Sequence, residues 1–414
     1  MKWQSIKDTQ DIENEMPWEE RCVPKSIFSL LSATAAKFRD NNAISFQLLS
    51  GPNDKAETLT WYDVMVKSTQ AANMFRSLGI GSNDVVAILL PNCNETAVSI
   101  LGGMVAGLVN PINPLLEPEQ MGAILRETNA RVLVTLKSFP KTDVAQKAAQ
   151  AVSLAPNVKT IIEVDLNRYL SPPKKWLVPL FRPKNDLKHG ATILDFNELL
   201  NRQNTTLNFE DVEEDRVVAL FHTGGTTGMP KIAQHRVSGI MYNVWVVNTL
   251  LVNEGDNLMC PLPMFHVFAC HVILMPAIYS GAHVIFPTPA GYRGDGVFDN
   301  FWKLVERWKI TFIITVPTAI SALMQRPVDA DISTVKKAYP GSAPIPVELF
   351  NRFENAAEID LVEGYGLTEA TVSVASNPLQ GQKKIGSVGL RLPYTSIKII
   401  KTTETGFEEC KKGE

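Results

Sequence analysis

Short apolar runs recur along this chain, and between them lie longer stretches whose apolar residues repeat at helical spacing. That alternation is the pattern of an α/β chain with largely parallel sheets, because two parallel neighbours need a crossover and a helix is the usual one. The runs read as strands at Val85–Leu90, Val132–Thr135, Thr160–Val164, Val217–Phe221, Leu258–Pro261, Val284–Phe286, Phe312–Val316, Val335–Ala338 and Ile359–Val362. The spacing predicts helices over Thr60–Leu78, Asn94–Ala106, Glu117–Thr128, Val237–Val252, Phe298–Trp308 and Pro346–Asn355. In the last, Pro346 falls in the first turn, where a missing N–H does no harm. Val388–Thr402 breaks the alternation, and its β-branched and turn residues predict short strands in a small barrel or hairpin.

A chain of 414 residues is too long for one simple core, which predicts two or more subdomains. The net charge of −3 gives no basic field to hold nucleic acid. The five cysteines (Cys22, Cys93, Cys260, Cys270, Cys410) are odd in number and never in CxxC spacing. That pattern disfavours a zinc site or disulfide framework and fits a reducing, cytoplasmic setting. The polar, acidic N-terminus lacks the apolar core of a signal peptide. The apolar stretches Val98–Val109 and Ile240–Val252 both fall short of the roughly 18 residues that span a bilayer.

One segment differs in composition. Residues 166–190, LNRYLSPPKKWLVPLFRPKNDLKHG, hold four prolines, six Lys/Arg and one Asp. Trp176, Leu177, Leu180 and Phe181 sit among the cations. Two readings stay open: a surface insertion whose aromatics pack on the body, or a patch over 170–186 that meets an anionic membrane peripherally.

The stretch TGGTTGMPK, residues 223–231, has the composition of a phosphate-holding loop. It is not a Walker A loop: counted from Gly224 or Gly225, the second glycine position falls on Met229 or Pro230, and Ile232 follows Lys231 where a hydroxyl is needed. The physics of anion binding survives. Gly224, Gly225 and Gly228 allow backbone N–H groups close to an anion, Thr223, Thr226 and Thr227 add hydroxyl donors, and Lys231 adds a charge. The loop also leaves the end of a predicted strand, where α/β sheets bind ligands. A tight glycine turn with solubilising threonines would look the same.

Further on stands EGYGLTEATVS, residues 363–373. Tyr365 between Gly364 and Gly366 could leave a ring face open for a base. Thr368 is a hydroxyl donor, and Glu369 is a hard oxygen ligand suited to Mg²⁺ or, alone, a solvated carboxylate at a helix start. These motifs together resemble the acyl-adenylate-forming enzymes: acyl-CoA synthetases, firefly-type luciferases and peptide-synthetase adenylation domains. TGGTTGMPK is similar to that family's Ser/Thr/Gly signature ending in Pro-Lys, and YGLTE to its second signature. PLPMFHVFA (261–269), GSAP (341–344) and GSVG (386–389) resemble segments in the same order.

The resemblance implies a large N-terminal domain of two stacked α/β subdomains with mostly parallel sheets, plus a small β-barrel-like part. The expected layout is a 1–24 extension, an α/β domain over 25–385 and the start of a small β part over 386–414. It implies ATP, Mg²⁺ and CoA as cofactors. Thr223 to Thr227, with Gly224, Gly225, Gly228 and Lys231, would grip the β- and γ-phosphates. Gly341, Ser342 and Ala343 would border adenine, with Tyr365 and its flanking Gly364 and Gly366 against its face. Thr368 would touch the α-phosphate, Glu369 would hold Mg²⁺, and His266 would sit by the substrate carboxylate and gate the acyl tunnel. The implied reaction is attack of a carboxylate on the α-phosphorus, giving an acyl-adenylate and pyrophosphate, then transfer to CoA.

The sequence departs from the family at Ile232, where glycine is usual. The family's ribose-binding aspartate, hinge and C-terminal domain with its adenylation lysine would all follow Glu414, so the 414 residues are expected to turn over poorly alone. Amino-acid-activating members carry an aspartate where this chain has Phe265-His266, so the expected substrate is a fatty or aryl acid. Its tunnel walls are expected at Phe265, Val267, Met275 and Val316. The carboxylic acid and CoA are the expected partners, with a homodimer as a further expectation. Transfer to a carrier protein and a non-catalytic ATP-binding relative remain as alternatives. His266 and His271, five apart, miss the helical metal-pair spacing, and His222 reads as a buried, hydrogen-bonded strand-end residue.

Overall fold

Strands buried on both faces read as continuous apolar runs, and ten-residue crossovers force them parallel. The computed structural model describes residues 3–185, 188–223 and 231–411. It contains two seven-stranded sheets. From edge to edge the first sheet is Thr192–Asp195, Thr160–Val164, Val132–Leu136, Val85–Leu89, Leu108–Pro111, Val217–His222 and Ile232–Arg236. The second is Asp360–Leu361, Lys337–Pro340, Phe312–Thr315, Asn257–Met259, His283–Phe286, Asn42–Gln47 and Ala56–Thr60. In each sheet every neighbouring pair is parallel except the last, which is an antiparallel hairpin.

The two sheets share one topology. Numbered within each half, the five parallel strands run 5-4-3-1-2, and the hairpin pairs beside strand 2. The hairpin follows its five strands in the first sheet and precedes them in the second, so the halves are circular permutations of each other. No repeat is readable in the sequence because the likeness lies in connectivity and not in residues.

Helices cover the sheets with apolar faces. Asn94–Ala106 is buried along its whole length and packs on Trp61–Ser77. Gly102 permits that approach, since a Cβ there would lie 2.5 Å from the Ala71 Cβ. Thr60 starts the Trp61–Ser77 helix by a reciprocal cap with Asp63. Pro346 is the N-cap of Val347–Ala357, one residue earlier than the sequence suggests.

The small β part is an antiparallel sheet of Gly364–Leu367, Val372–Ser376 and Leu390–Arg391, with a separate hairpin of Ile400–Thr403 and Gly406–Glu409. The N-terminal residues clamp it. Helix Ile6–Glu15 carries Glu13, whose carboxylate takes two hydrogen bonds from Arg391, at 2.5 and 2.8 Å. Tyr394 donates its hydroxyl to the Met16 carbonyl at 2.6 Å, and Trp18 packs edge-on against Tyr242 and Trp245.

Candidate functional site

In the first sheet the strand order reverses at Val85–Leu89, which pairs with Leu108–Pro111 on one side and Val132–Leu136 on the other. In the second it reverses at Asn257–Met259, between His283–Phe286 and Phe312–Thr315. Open α/β sheets bind ligands beyond the C-terminal strand ends at such points. Here both sheets direct theirs to one place. Pro91, Asn92 and Asn113 leave the first sheet there, and Pro261, His266, Thr288 and Val316 leave the second. They enclose a cavity of about 1700 Å³, with Phe139, Phe181, Phe265, Phe298 and many aliphatic side chains on its walls.

A smaller cavity of about 310 Å³ adjoins it, lined by Thr223, Gly341, Ser342, Tyr365, Thr368 and Glu369 among others. His266, Phe268 and Ser342 border both spaces, so the two meet at these residues. The Phe268 ring lies against Gly341, where a Cβ would come within 2.7 Å of it. Ser342 adopts φ +68°, a left-handed conformation costing on the order of 1 kcal/mol for a non-glycine residue.

His266 has a fixed tautomer. Its Nδ1 accepts from the Phe268 N–H at 3.3 Å, which leaves the proton on Nε2. Burial among the cavity walls lowers its pKa, so the neutral ring is favoured. The result is a neutral N–H donor at the junction of an apolar space and a polar one.

Thr368 and Glu369 form the turn after Gly364–Leu367. That turn rests on two imidazoles. His235 donates from Nε2 to the Thr368 carbonyl at 2.7 Å, and its Nδ1 accepts from His271 Nε2 at 3.0 Å. Phe221 stacks on His235 and meets His271 edge-on. Desolvation lowers both histidine pKa values, most strongly for His271. Asn243, on the helix Val237–Leu250, donates to the His271 carbonyl and accepts from the Ser373 N–H, tying that helix to the strand Val372–Ser376.

The expected phosphate loop is bracketed by its ends. Thr223 donates its N–H to the Lys231 carbonyl at 2.9 Å, continuing the hairpin in which His222 faces Ile232. Gly224, Gly225, Thr226, Thr227 and Gly228 lie outside the described residues. Lys231 is exposed. His222 accepts from Asn110 Nδ2 at 2.9 Å, and burial lowers its pKa to about 4.

Of the residues expected at the site, Thr223, Gly341, Ser342, Gly364, Tyr365, Gly366, Thr368, Glu369 and His266 line the small cavity, while Ala343 and Lys231 are exposed and line neither. Tyr365 is 46% exposed, with its ring accessible. Phe265 and Val316 are on the large cavity's wall and Val267 on the small one's, but Met275 is fully buried in the core. Met275 begins the helix Met275–Ser280 and packs within the main hydrophobic core. No cluster of three or more His, Cys, Asp or Glu suited to a metal occurs among the described residues.

Two groups escape sequence reasoning. His235 reads from the sequence as part of a helix entry but lies in the edge strand Ile232–Arg236, and its partnership with His271, 36 residues on, depends on the packing of that strand against the helical segment Phe268–Leu274. The second is a partly buried ion cluster: Arg168 bonds Glu57 at 2.6 and 2.7 Å and Glu95 at 2.5 Å, and Tyr169 donates to Glu95 at 2.7 Å.

A profile of the family described as AMP-binding enzyme matches residues 31–414. The chain is 31% identical over 419 residues to a marinolic acid–CoA ligase of Pseudoalteromonas sp. (strain SANK 73390), covering 98% of this chain and 60% of that protein. It is 30% identical over 411 residues to a long-chain-fatty-acid–CoA ligase of Bacillus subtilis (strain 168), covering 95% of this chain and 68% of that one. The fold matches the crystal structure of the anthranilate CoA ligase AuaEII in complex with anthranoyl-AMP, with a TM-score of 0.78 at 22% identity, over 96% of this chain and 70% of that one. The chain thus spans between three fifths and about two thirds of the length of these two relatives. Two sheets converging on a paired cavity, the YGLTE turn beside it and a profile match over most of the sequence agree: the chain belongs to the AMP-binding enzyme family.

Proposed function

We propose that this chain is the ATP- and acid-binding part of an acid–CoA ligase that makes an acyl-adenylate and passes the acyl group to CoA. The observation that carries the reading is the meeting of an apolar and a polar cavity at His266, Phe268 and Ser342. An apolar acid would lie in the large space with its carboxylate at that junction, and ATP in the small one. The carboxylate oxygen then attacks the α-phosphorus, and pyrophosphate leaves. Such chemistry needs alignment and charge stabilisation more than covalent help.

Each residue has a task on this reading. His266 Nε2–H orients the carboxylate without protonating it, since the ring is held neutral. The Tyr365 ring offers a face to adenine, and Gly341 and Ser342 edge it. Thr368 presents its hydroxyl to the α-phosphate from a turn held by His235. Thr223 and Lys231, with the residues between them, serve the β- and γ-phosphates. Glu369 is the carboxylate that fits Mg²⁺, an ion commonly held by one or two carboxylates plus substrate phosphates, and the ion would neutralise phosphate charge. The five free cysteines support a reducing, cytoplasmic setting. No helix among the described residues is long and apolar enough to cross a membrane.

The apolar walls favour a fatty or aryl acid, as do the names of the relatives. The test is a panel of carboxylic acids with Mg-ATP and the full-length protein, reading pyrophosphate release with CoA or acyl carrier protein as acceptor. Acid-dependent release followed by CoA thioester formation is the expected result. A panel in which no acid raises pyrophosphate release would sink the reading.

A further inference from the structure

The large cavity reaches the surface under the segment that the sequence marks as unusual. Lys174, Leu177, Val178 and Phe181 line its wall. Two short helices carry them, Lys174–Leu177 and Val178–Phe181. Of these side chains only Val178 is buried, while Leu177 is 47% and Phe181 68% exposed. Beside them, Trp176 is 69% and Leu180 77% exposed. Leu115, also on the cavity wall, is exposed as well. Large apolar side chains are thus left in solvent together, around an opening, which is uncommon for scattered surface residues.

The segment is fastened at both ends. Arg168 is committed to Glu57 and Glu95, and Arg182 to Asp165 and to the Ser138 carbonyl, both at 2.7 Å. Two of the six cations therefore serve the protein's own carboxylates. Lys174, Lys175, Lys184 and Lys188 are exposed, and no salt bridge among the described residues engages them. The nearby rim carboxylates Asp143 and Asp295 face Lys147 and Lys141 instead. What projects outward is an apolar cluster set among lysines that have no carboxylate partner among the described residues.

We propose that this cluster docks on an anionic phospholipid bilayer and opens the large cavity directly toward the membrane, so that an acyl chain passes between Leu177 and Phe181 without crossing water. The partner follows from chemistry. Apolar insertion alone gives marginal binding, and a second signal from basic residues near anionic headgroups makes it stable. A protein partner would have to bring both a greasy socket and acidic groups, whereas an anionic bilayer supplies both everywhere. The passage of an acyl chain rests on the acid-ligase reading above; the docking does not.

The test uses the full-length protein and vesicles of phosphatidylcholine with or without about a third phosphatidylglycerol. Co-sedimentation is expected with the anionic vesicles, weak with the neutral ones, and reduced by salt. Trp176→Ser with Leu180→Ser should lower partitioning about tenfold or more. Lys175→Glu with Lys184→Glu should lower it by about fivefold or more per charge and reduce the salt dependence. None of these four side chains lines the cavity, so each variant should keep wild-type pyrophosphate release with a water-soluble acid while losing rate with a long-chain acid supplied in anionic vesicles. Unchanged melting temperatures exclude a folding defect, and the lysine pair is a second route should the apolar pair perturb stability. Equal binding to neutral and anionic vesicles, or variants that sediment like the wild type, would overturn the docking. Docking that holds while bilayer-supplied acid reacts no slower in the variants would overturn the passage. An absence of release from every acid speaks against the ligase reading alone, since sedimentation is read separately.

Discussion

His235 donates from Nε2 to the backbone carbonyl of Thr368 at 2.7 Å, and that single bond joins the edge strand Ile232–Arg236 to the turn bearing Glu369. The carbonyl can only accept, so the proton is on Nε2, and Nδ1 must accept from His271. The two rings act as a rigid strut whose protonation is dictated by its two ends.

His235→Ala should remove the strut and leave both His271 and the Thr368 carbonyl short of partners. The expected cost is about 1–3 kcal/mol of stability, with a fall in kcat that exceeds the change in KM for ATP. His235→Gln keeps a donor at similar reach and should restore part of the kcat. Steady-state pyrophosphate release by the three proteins checks this, and equal kcat values for Ala and wild type would discard the strut.

Acid should weaken the fold through its buried histidines. His222 and His283 each have their pKa lowered to about 4 by burial, against an unfolded value near 6.5. Below the unfolded value the unfolded chain binds more protons, so stability present above about pH 6.5 is lost as pH falls toward 4. His283, bonded to Ser45 and packed on Trp308, allows a clean comparison. The melting temperature of His283→Asn should fall less steeply than wild type between about pH 6.5 and 4. Parallel curves would show that His283 does not titrate across that window.

Lys337 and Asp256 form a buried pair at 3.4 Å, with side chains 5% and 4% exposed. Lys337 also donates to the Leu251 carbonyl, and Asp256 accepts from Thr311 at 2.7 Å and from the Asn253 N–H at 2.8 Å. Desolvation lowers the lysine pKa while Asp256 partly restores it. Lys337→Met leaves a lone buried carboxylate and should cost about 3–5 kcal/mol in urea denaturation. Asp256→Asn combined with Lys337→Met should cost less than the sum of the two single changes.

Glu13→Ala should free Arg391 and loosen the N-terminal helix from the small sheet. The pair is partly buried, and Arg391 lowers the Glu13 pKa through its hydrogen bonds. Limited proteolysis should then cut near residues 16–24 at least several-fold faster, with the two large sheets still protected. Unaltered cleavage would mean that Tyr394 and Trp18 hold the segment without it.

Most of the parallel framework was legible in the sequence because those strands are apolar on both faces and their crossovers are amphipathic. Asn42–Gln47 and Ala56–Thr60 were not, since a hairpin at a sheet edge mixes polar and apolar residues and its partner is His283–Phe286, far along the chain. The cavity-lining residues of YGLTE and PLPMFH were found by motif. Their geometry was not, because the His235–His271 pair and the Arg168 cluster arise only from packing. Met275 misled for a related reason: an apolar residue near a cavity looks the same in sequence whether it faces the space or the core.

The permuted halves have a consequence for synthesis. The first sheet is one continuous stretch of chain, while the second receives its edge hairpin from residues made before the first sheet begins. Asn42–Gln47 must therefore wait for His283–Phe286 to leave the ribosome, which at about 5–20 residues per second is a delay of roughly 10–50 s. During that interval an apolar strand lacks its parallel partner in the sheet. The order of assembly, and the moment when this protein is most open to aggregation, are written into which end of each half the hairpin occupies.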